Sequence, residues 1–512
     1  MSAPLAPPHR QVLDRPGFHA LVAAASLLLS WWAVYADPVI NSDGIGEVRA
    51  ARYFLDADWR AGIELSAQPL YALLGAALSR VAGLDAAAGL YAVNAVLFAL
   101  LAVGFLVLVS VLGGGRRAGW LGALLILLFP SLIGLRPGIN GDPGYWAFYL
   151  WSLGYAMHYV RTRDKRSLMG WVLAGVAAVM FAVEALVILI PAGLWLLVHE
   201  QEGARGRALK WLAVAAAAAV LLVEVLWGQA WHSDFPAGPL LPDPLTTLAA
   251  AWHELGREIT FRLEALQTQF LDQYSHGYDN TALVVALLVV AASGVLACLG
   301  PIYAVLAAYA AAVSARTLEP GQKYWWRVFA VLSMLTLLAP ALTRFSVSGR
   351  DAMIAGLTLT AIVPPALDSL WQRCSSGPGP RRWLPPLIAA AVIASGIAAL
   401  DLRSGQVYLR DAGRWLRDNA SPDATLYSNS PVIVYYSGLD GYRPGDEYTW
   451  QEAMATVWGD RWREYRYLAL VIDAENAHRE GILLRKLELA PVKTILGESG
   501  SRVLIFAVDG DG

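Results

Sequence analysis

The chain has 512 residues, 57% of them hydrophobic and only 16% charged, with a formal net charge of −2. A soluble core cannot hide that apolar share, and near-neutral charge offers no footprint for a nucleic-acid partner or a broadly basic membrane-surface protein. Stretches such as Phe18–Ala36, Gly89–Leu112 and Trp383–Leu400 can each cross a hydrocarbon layer of roughly 30 Å, which takes about 20 helical residues.

The first apolar stretch follows Arg10 and Arg15. It is longer than the h-region of a signal peptide and leads into no soluble body after a small-residue cleavage site, so it reads as an uncleaved first helix. Lys and Arg collect at Arg116–Arg117, at Arg161, Arg163, Lys165 and Arg166, at Arg205, Arg207 and Lys210, at Arg316, Lys323 and Arg327, and at Arg373, Arg381 and Arg382. Short cytoplasmic connections are enriched in these residues. The N-terminus is therefore expected in the cytoplasm, with residues 37–68, 131–143, a turn near Glu184, 231–278, 343–350 and the tail from 402 outside.

This parity requires Leu168–Val198 to cross twice, as two short helices broken near Glu184, and Thr281–Ser314 to cross a net once, interrupted around Gly300–Pro301. The total is roughly 11–13 spans. Irregular backbone at such breaks must be buried in protein or line a wet cavity.

Residues 1–401 are thus expected to form a polytopic α-helical transmembrane domain, and residues 402–512, which contain no spanning run, a small soluble α/β domain. Within it, Tyr408–Asn419 and Pro431–Ser437 read as helices, and Ala424–Tyr427, Tyr467–Ile472, Val492–Leu496 and Arg502–Val508 as strands. Cys298 and Cys374 form neither a disulfide framework nor a metal motif. His232, His253 and His276 share the large outer loop, but their spacing matches no zinc pattern.

The residues that could carry chemistry lie on the outer side. The first outer loop reads Asn41-Ser42-Asp43-Gly44-Ile45-Gly46-Glu47, then a segment Val48–Trp59 of helical spacing, then Gln68-Pro69-Leu70-Tyr71. Asp43 has two readings: a helix cap with Glu47 in the turn it opens, or a carboxylate at the membrane–water boundary, ionised and within reach of a lipid headgroup. Asp142, in the loop Leu135-Arg136-Pro137-Gly138-Ile139-Asn140-Gly141-Asp142, allows the same pair of readings. Glu184 lies inside an apolar segment, where an acid is costly unless it pairs or meets water. Arg350 closes the connection Thr343–Asp351; it could grip a phosphate with its planar fork of donors, or snorkel, or pair with Asp351. Tyr145, Trp146 and Trp151 fit an interfacial aromatic belt or a sugar-stacking surface.

In this order and on this side of the membrane, these pieces resemble the GT-C superfamily of membrane glycosyltransferases, in the bacterial branch related to protein O-mannosyltransferases and the aminoarabinose transferase of lipid A. The resemblance rests on Asp43 after the first helix, Pro69-Leu70-Tyr71 after an amphipathic segment, and an acidic loop before Gly144-Tyr145-Trp146-Ala147-Phe148. It continues with Glu184 between paired short helices, Ser348-Gly349-Arg350 late in the chain, and a tail that opens with Ala412-Gly413-Arg414-Trp415-Leu416. It departs from the family's pattern at Ala182-Val183-Glu184, where an Arg often stands two residues before the Glu, and at Arg350-Asp351, where Arg-Tyr is common.

The resemblance implies a GT-C fold and an inverting transfer of a sugar from a polyprenyl-phosphate donor to a hydroxyl of lipid, glycan or protein, at the outer face of the bacterial inner (plasma) membrane. It makes Asp43 the base, and Asp142, Glu184, Arg350, Arg136 and Tyr71 substrate contacts. The leaving phosphate would be stabilised by arginine, Arg350 first and Arg136 second, or by a divalent cation; no sequence pattern establishes a metal site. The alternative is a transporter or binding subunit that holds a polyprenyl-linked substrate without transferring it.

Overall fold

In the computed structural model, residues 16–199 are described except 67–68 and 183. Residues 279–508 are described except 376–379, 401–405, 440–447, 474–475, 477, 479 and 498–499, and residues 256, 257, 259–261 and 264 lie between the two ranges. The expectations for Gln68, for Arg205, Arg207 and Lys210, and for His232, His253 and His276 fall outside the described residues.

The chain is a polytopic α-helical membrane protein with a small α/β region near its C-terminus. Helices α1 (Pro16–Ala36), α2 (Ser42–Leu55), α3 (Trp59–Leu65), α4 (Pro69–Ala82), α5 (Ala86–Val111), α6 (Arg116–Leu127), α7 (Pro130–Leu135), α8 (Asp142–Thr162), α9 (Lys165–Phe181) and α10 (Ala185–His199) come first. After the large loop come α11 (Asp279–Thr317), α12 (Pro320–Leu335), α13 (Leu338–Arg344), α14 (Met353–Thr360), α15 (Val363–Ser375) and α16 (Leu384–Ala399).

Among the described residues, five runs are long and apolar enough to cross a membrane: Pro16–Ala36, Ala86–Val111, Thr281–Ser314, Pro320–Arg344 and Met353–Cys374. Pro69–Ala82, Ala185–Leu194 and Leu384–Ala399 are shorter apolar helices. The outward faces are themselves apolar, with Leu28, Trp31 and Tyr35 of α1 exposed. That is expected where lipid is the solvent and the backbone must satisfy itself inside the helix.

The two expected interruptions are present. Helix α9 ends at Phe181 and α10 starts at Ala185, leaving Glu184 in the turn. Helix α11 is kinked at Gly300, whose φ of 65° and ψ of 169° suit glycine, and Pro301 after it removes a backbone donor.

By internal contacts the chain divides into two compact units. One comprises Met1–Leu29, Ala95–Leu135 and Gly141–Asp401; the other comprises Ser30–Asn94, Arg136–Asn140 and Leu402–Gly512. In the first unit, small residues let helices approach: a side chain on Gly144 of α8 would collide with the Phe181 ring of α9, and one on Gly396 of α16 would sit 2.7 Å from Leu128. Buried polar groups are tied to backbone carbonyls across helices, as where Tyr303 Oη donates to Leu125 O at 2.9 Å and Trp326 Nε1 to Thr358 O at 2.9 Å.

In the second unit, the segment after α1 and the tail fold together. The tail runs α17 (Val407–Asn419), β1 (Leu426–Ser428), α18 (Pro431–Ser437), α19 (Trp450–Trp458), β2 (Tyr467–Ile472), α20 (Glu480–Leu487), β3 (Lys493–Leu496) and β4 (Arg502–Ala507). The sheet order is β1-β2-β4-β3, with β1 parallel to β2 and the other pairs antiparallel. The antiparallel register pairs Leu470 with Leu504 and Leu468 with Phe506. These residues form one core with Ala453 and Val457 of α19, Leu483 and Leu487 of α20, and Trp462, while α17 packs against β3 and β4. The expected strands and the helices α17 and α18 are present; the short amphipathic helices α19 and α20 were not foreseen.

Phe506 is 0% exposed in this core. Replacing it by Ala is expected to cost about 3–5 kcal/mol, read as loss of the tail's protease resistance in the full chain under conditions where the wild type resists.

Candidate functional site

The second unit presents Asp43. Asn41, in extended conformation (φ −68°, ψ 156°), is the N-cap position of α2, and Asp43 lies in the first turn. The capping reading of Asp43 is therefore corrected: the residue two positions earlier starts the helix, and its side chain is used elsewhere. Asn41 Oδ1 accepts Ile139 N–H at 2.7 Å and Asn41 Nδ2 donates to Ile139 O at 3.3 Å, closing a two-point clamp between the start of α2 and residues 136–140. Gly44 permits this closeness, since a Cβ there would stand 2.8 Å from Ile139 Cβ and 2.7 Å from Asn41 Oδ1. Asn94 Nδ2 holds the other side of the loop through Gly138 O at 2.7 Å. The result is an exposed Asp43 on a helical turn whose next residues, Gly44 and Ile45, are buried. The positive end of the α2 dipole lies at this turn. Glu47, one turn on, accepts Ser66 Oγ at 2.8 Å.

Arg136 and Tyr71 belong to the same unit but are interior residues. Arg136 is 2% exposed, its Nη1 donates to Ser30 Oγ at 2.6 Å, and burial draws its guanidinium down to about 9. An arginine so placed braces its loop and does not present its fork at the surface, contrary to the sequence expectation. Tyr71 is 0% exposed and donates to Leu90 O at 3.3 Å, locking α4 against α5.

The first unit gathers Asp142, Glu184 and Arg350. Asp142 is the first residue of α8, with Pro143 suited to the opening turn. Its carboxylate is paired with Arg350 Nε. Arg350 thus does not pair with its neighbour: Asp351 instead accepts Ser348 N at 2.8 Å, Ser348 Oγ at 2.7 Å and Arg344 Nη2 at 2.8 Å. This turn follows Phe345, in the left-handed region at φ 53°, and lies on α11 where Gly294 leaves room for Val347. Glu184 stands in the α9–α10 turn; burial, then the negative charges of Asp142 and Asp351, holds its carboxyl above the usual range.

Tyr145 and Trp146 are buried, and the Trp151 indole donates to Leu100 O at 3.0 Å. Tyr145 and Trp146 are core residues and Trp151 is half-buried, where the sequence suggested a belt or a sugar surface. Among the described residues no three His, Cys, Asp or Glu side chains converge to hold a metal ion, and Asp142 is engaged by an arginine, so the donor set does not fit a divalent cation. Asn41 has no role in the sequence reading, where Asp351 enters only as a partner for Arg350; the polar residue ahead of α2 is the signal for Asn41.

The fold is similar to that of solved membrane glycosyltransferases. In particular, the structure of ArnT from Cupriavidus metallidurans bound to undecaprenyl phosphate matches with a TM-score of 0.50 over 97% of this chain and 98% of that one, at 12% identity. The arabinofuranosyltransferase AftD from Mycobacteria matches at 0.44 over 97% of this chain and 40% of that one, at 16% identity. ArnT in the apo state matches at 0.39 over 97% and 99%, at 14% identity. At these identities the likeness is one of fold. No family model matches the sequence, and no curated protein does.

The Asp142–Arg350 pair is partly solvated, with side chains 14% and 38% exposed. Asp142→Asn and Arg350→Gln are each expected to cost about 1 kcal/mol, and the double variant less than the sum, in a denaturant double-mutant cycle. Glu184 carries a raised folded pKa, so its ionised form opposes folding. That cost is absent below the unfolded pKa, grows as pH rises above it and is complete once pH has passed the folded value. Glu184→Gln should therefore raise the melting temperature at pH 8 and leave it unchanged near pH 4; a variant that melts lower at pH 8 would contradict the assignment.

Proposed function

We propose that the chain is an inverting glycosyltransferase that moves a sugar from a polyprenyl-phosphate donor to a hydroxyl acceptor at the outer face of the bacterial inner membrane. The observation that carries this reading is a GT-C architecture along essentially the whole chain, matched to a structure bound to undecaprenyl phosphate, together with an exposed Asp43 on the first turn of α2. In this reading the N-terminus is cytoplasmic, residues 1–401 form the transmembrane domain, and residues 402–512 are periplasmic.

The chemistry assigns one role to each group. Asp43 takes the proton of the acceptor hydroxyl as its oxygen bonds to the anomeric carbon. The bond from that carbon to the phosphate oxygen breaks on the opposite face, and its electron pair leaves with the polyprenyl phosphate. Inversion follows from a single displacement, by analogy with inverting glycosidases. Phosphate departs as an anion and needs no general acid. Its developing charge needs a cation, and Arg350, aligned by Asp142 on its Nε, is assigned to it. Glu184, held toward its neutral form, is assigned to the acceptor as a hydrogen-bond donor. Arg136 and Tyr71 support the loops from inside. No step is routed through a metal.

Asp43→Asn is expected to lower transfer by about 10²–10⁴-fold while leaving donor binding intact, measured with a labelled polyprenyl-phosphate sugar in reconstituted membranes. Transfer at the wild-type rate would remove Asp43 from the role of base. A wild type that binds donor and consumes none would make the chain a carrier or binding subunit.

A further inference from the structure

The tail's place in function follows from contacts within the second unit. Tyr436, on α18, reaches the chain immediately ahead of α2: its hydroxyl accepts Ile40 N–H at 3.1 Å and donates to Pro38 O at 3.3 Å. Both partners sit in the non-helical stretch between α1 and α2, where no ladder would otherwise take their backbone groups. Its neighbour Tyr435 binds the other end of α2, where Arg52 Nη2 donates to Tyr435 Oη at 3.3 Å and its guanidinium lies 5.6 Å from the ring centroid.

Helix α18 is set in place by α17. A Cβ on Gly413 would stand 2.6 Å from Tyr436 Cβ and 2.7 Å from Ile433 O, so only glycine lets the two helices meet this closely. On its other side the same segment is fixed by the Asn41–Ile139 clamp.

We infer that the tail is a strut for the acidic loop, and that Tyr436 is a positioning residue which orders residues 38–41 and so fixes the first turn of α2 that carries Asp43. The catalytic consequence rests on the reading of Asp43 as the base. The structural claim stands apart from it.

The experiment uses the full chain in lipid nanodiscs. Amide exchange is read over residues 38–46 in the wild type, Tyr436→Phe, Tyr435→Phe and Gly413→Ala. Tyr436→Phe removes the acceptor of the Ile40 amide, and its exchange should rise roughly tenfold, the equivalent of one lost hydrogen bond. Protection of the β2 and β4 amides should persist, showing that the tail is still folded. Gly413→Ala should give the same effect with Tyr436 intact, and Tyr435→Phe should spare Ile40. In the transfer assay Tyr436→Phe should lower kcat severalfold with KM unchanged.

Unchanged exchange at Ile40 in both Tyr436→Phe and Gly413→Ala overturns the strut. Faster exchange with unaltered kcat overturns the positioning role. A wild type that transfers nothing overturns the transferase reading instead, and the exchange arm then decides the strut alone.

Discussion

Asn41 and Ile139 exchange two hydrogen bonds across 98 residues of chain, and the shape of the two connections they join depends on that exchange. Hydrocarbon leaves no freedom to a spanning segment beyond helix, because each unpaired backbone group costs several kcal/mol there. Irregular backbone is therefore confined to the connections, and these need side chains to give them a shape. Asn41 does so by reading both the N–H and the C=O of one residue in a second connection, with Gly44 giving up its side chain to admit it. Asp43 inherits its position from that geometry.

In the first unit the equivalent task falls to charge. Asp351 gathers Ser348 and Arg344 into a turn, which leaves Arg350 to reach Asp142 at the start of α8. Two adjacent residues thus divide the work: one carboxylate shapes the loop, and the guanidinium beside it ties that loop to the start of α8. Glu184 adds a third acid to the neighbourhood, and burial, then the charges of Asp142 and Asp351, holds its carboxyl above the usual range.

What was legible in the sequence follows the same division. Apolar runs, the break at Glu184 and the kink at Gly300 could be read because lipid dictates hydropathy locally and because Gly and Pro announce where a helix stops. Strands β2 and β4 could be read from their β-branched and aromatic runs. Helices α19 and α20 could not, since each is short and owes its helicity to packing on the sheet. Side-chain roles were the least legible. Arg350 precedes Asp351 in sequence, and nothing local reveals that its partner lies 208 residues away. Arg136 stands second to Arg350 as a phosphate partner in the sequence reading, yet its side chain is buried and bonded to Ser30. Tyr436 carried no signal at all, being one of two adjacent tyrosines in a short apolar helix.

The contact between Ile40 and Tyr436 spans 396 residues, which gives it a meaning in time as well as in space. During synthesis the acidic turn is made some 396 residues before the tyrosine that holds it, so the turn acquires these hydrogen bonds only after α18 has been made and folded.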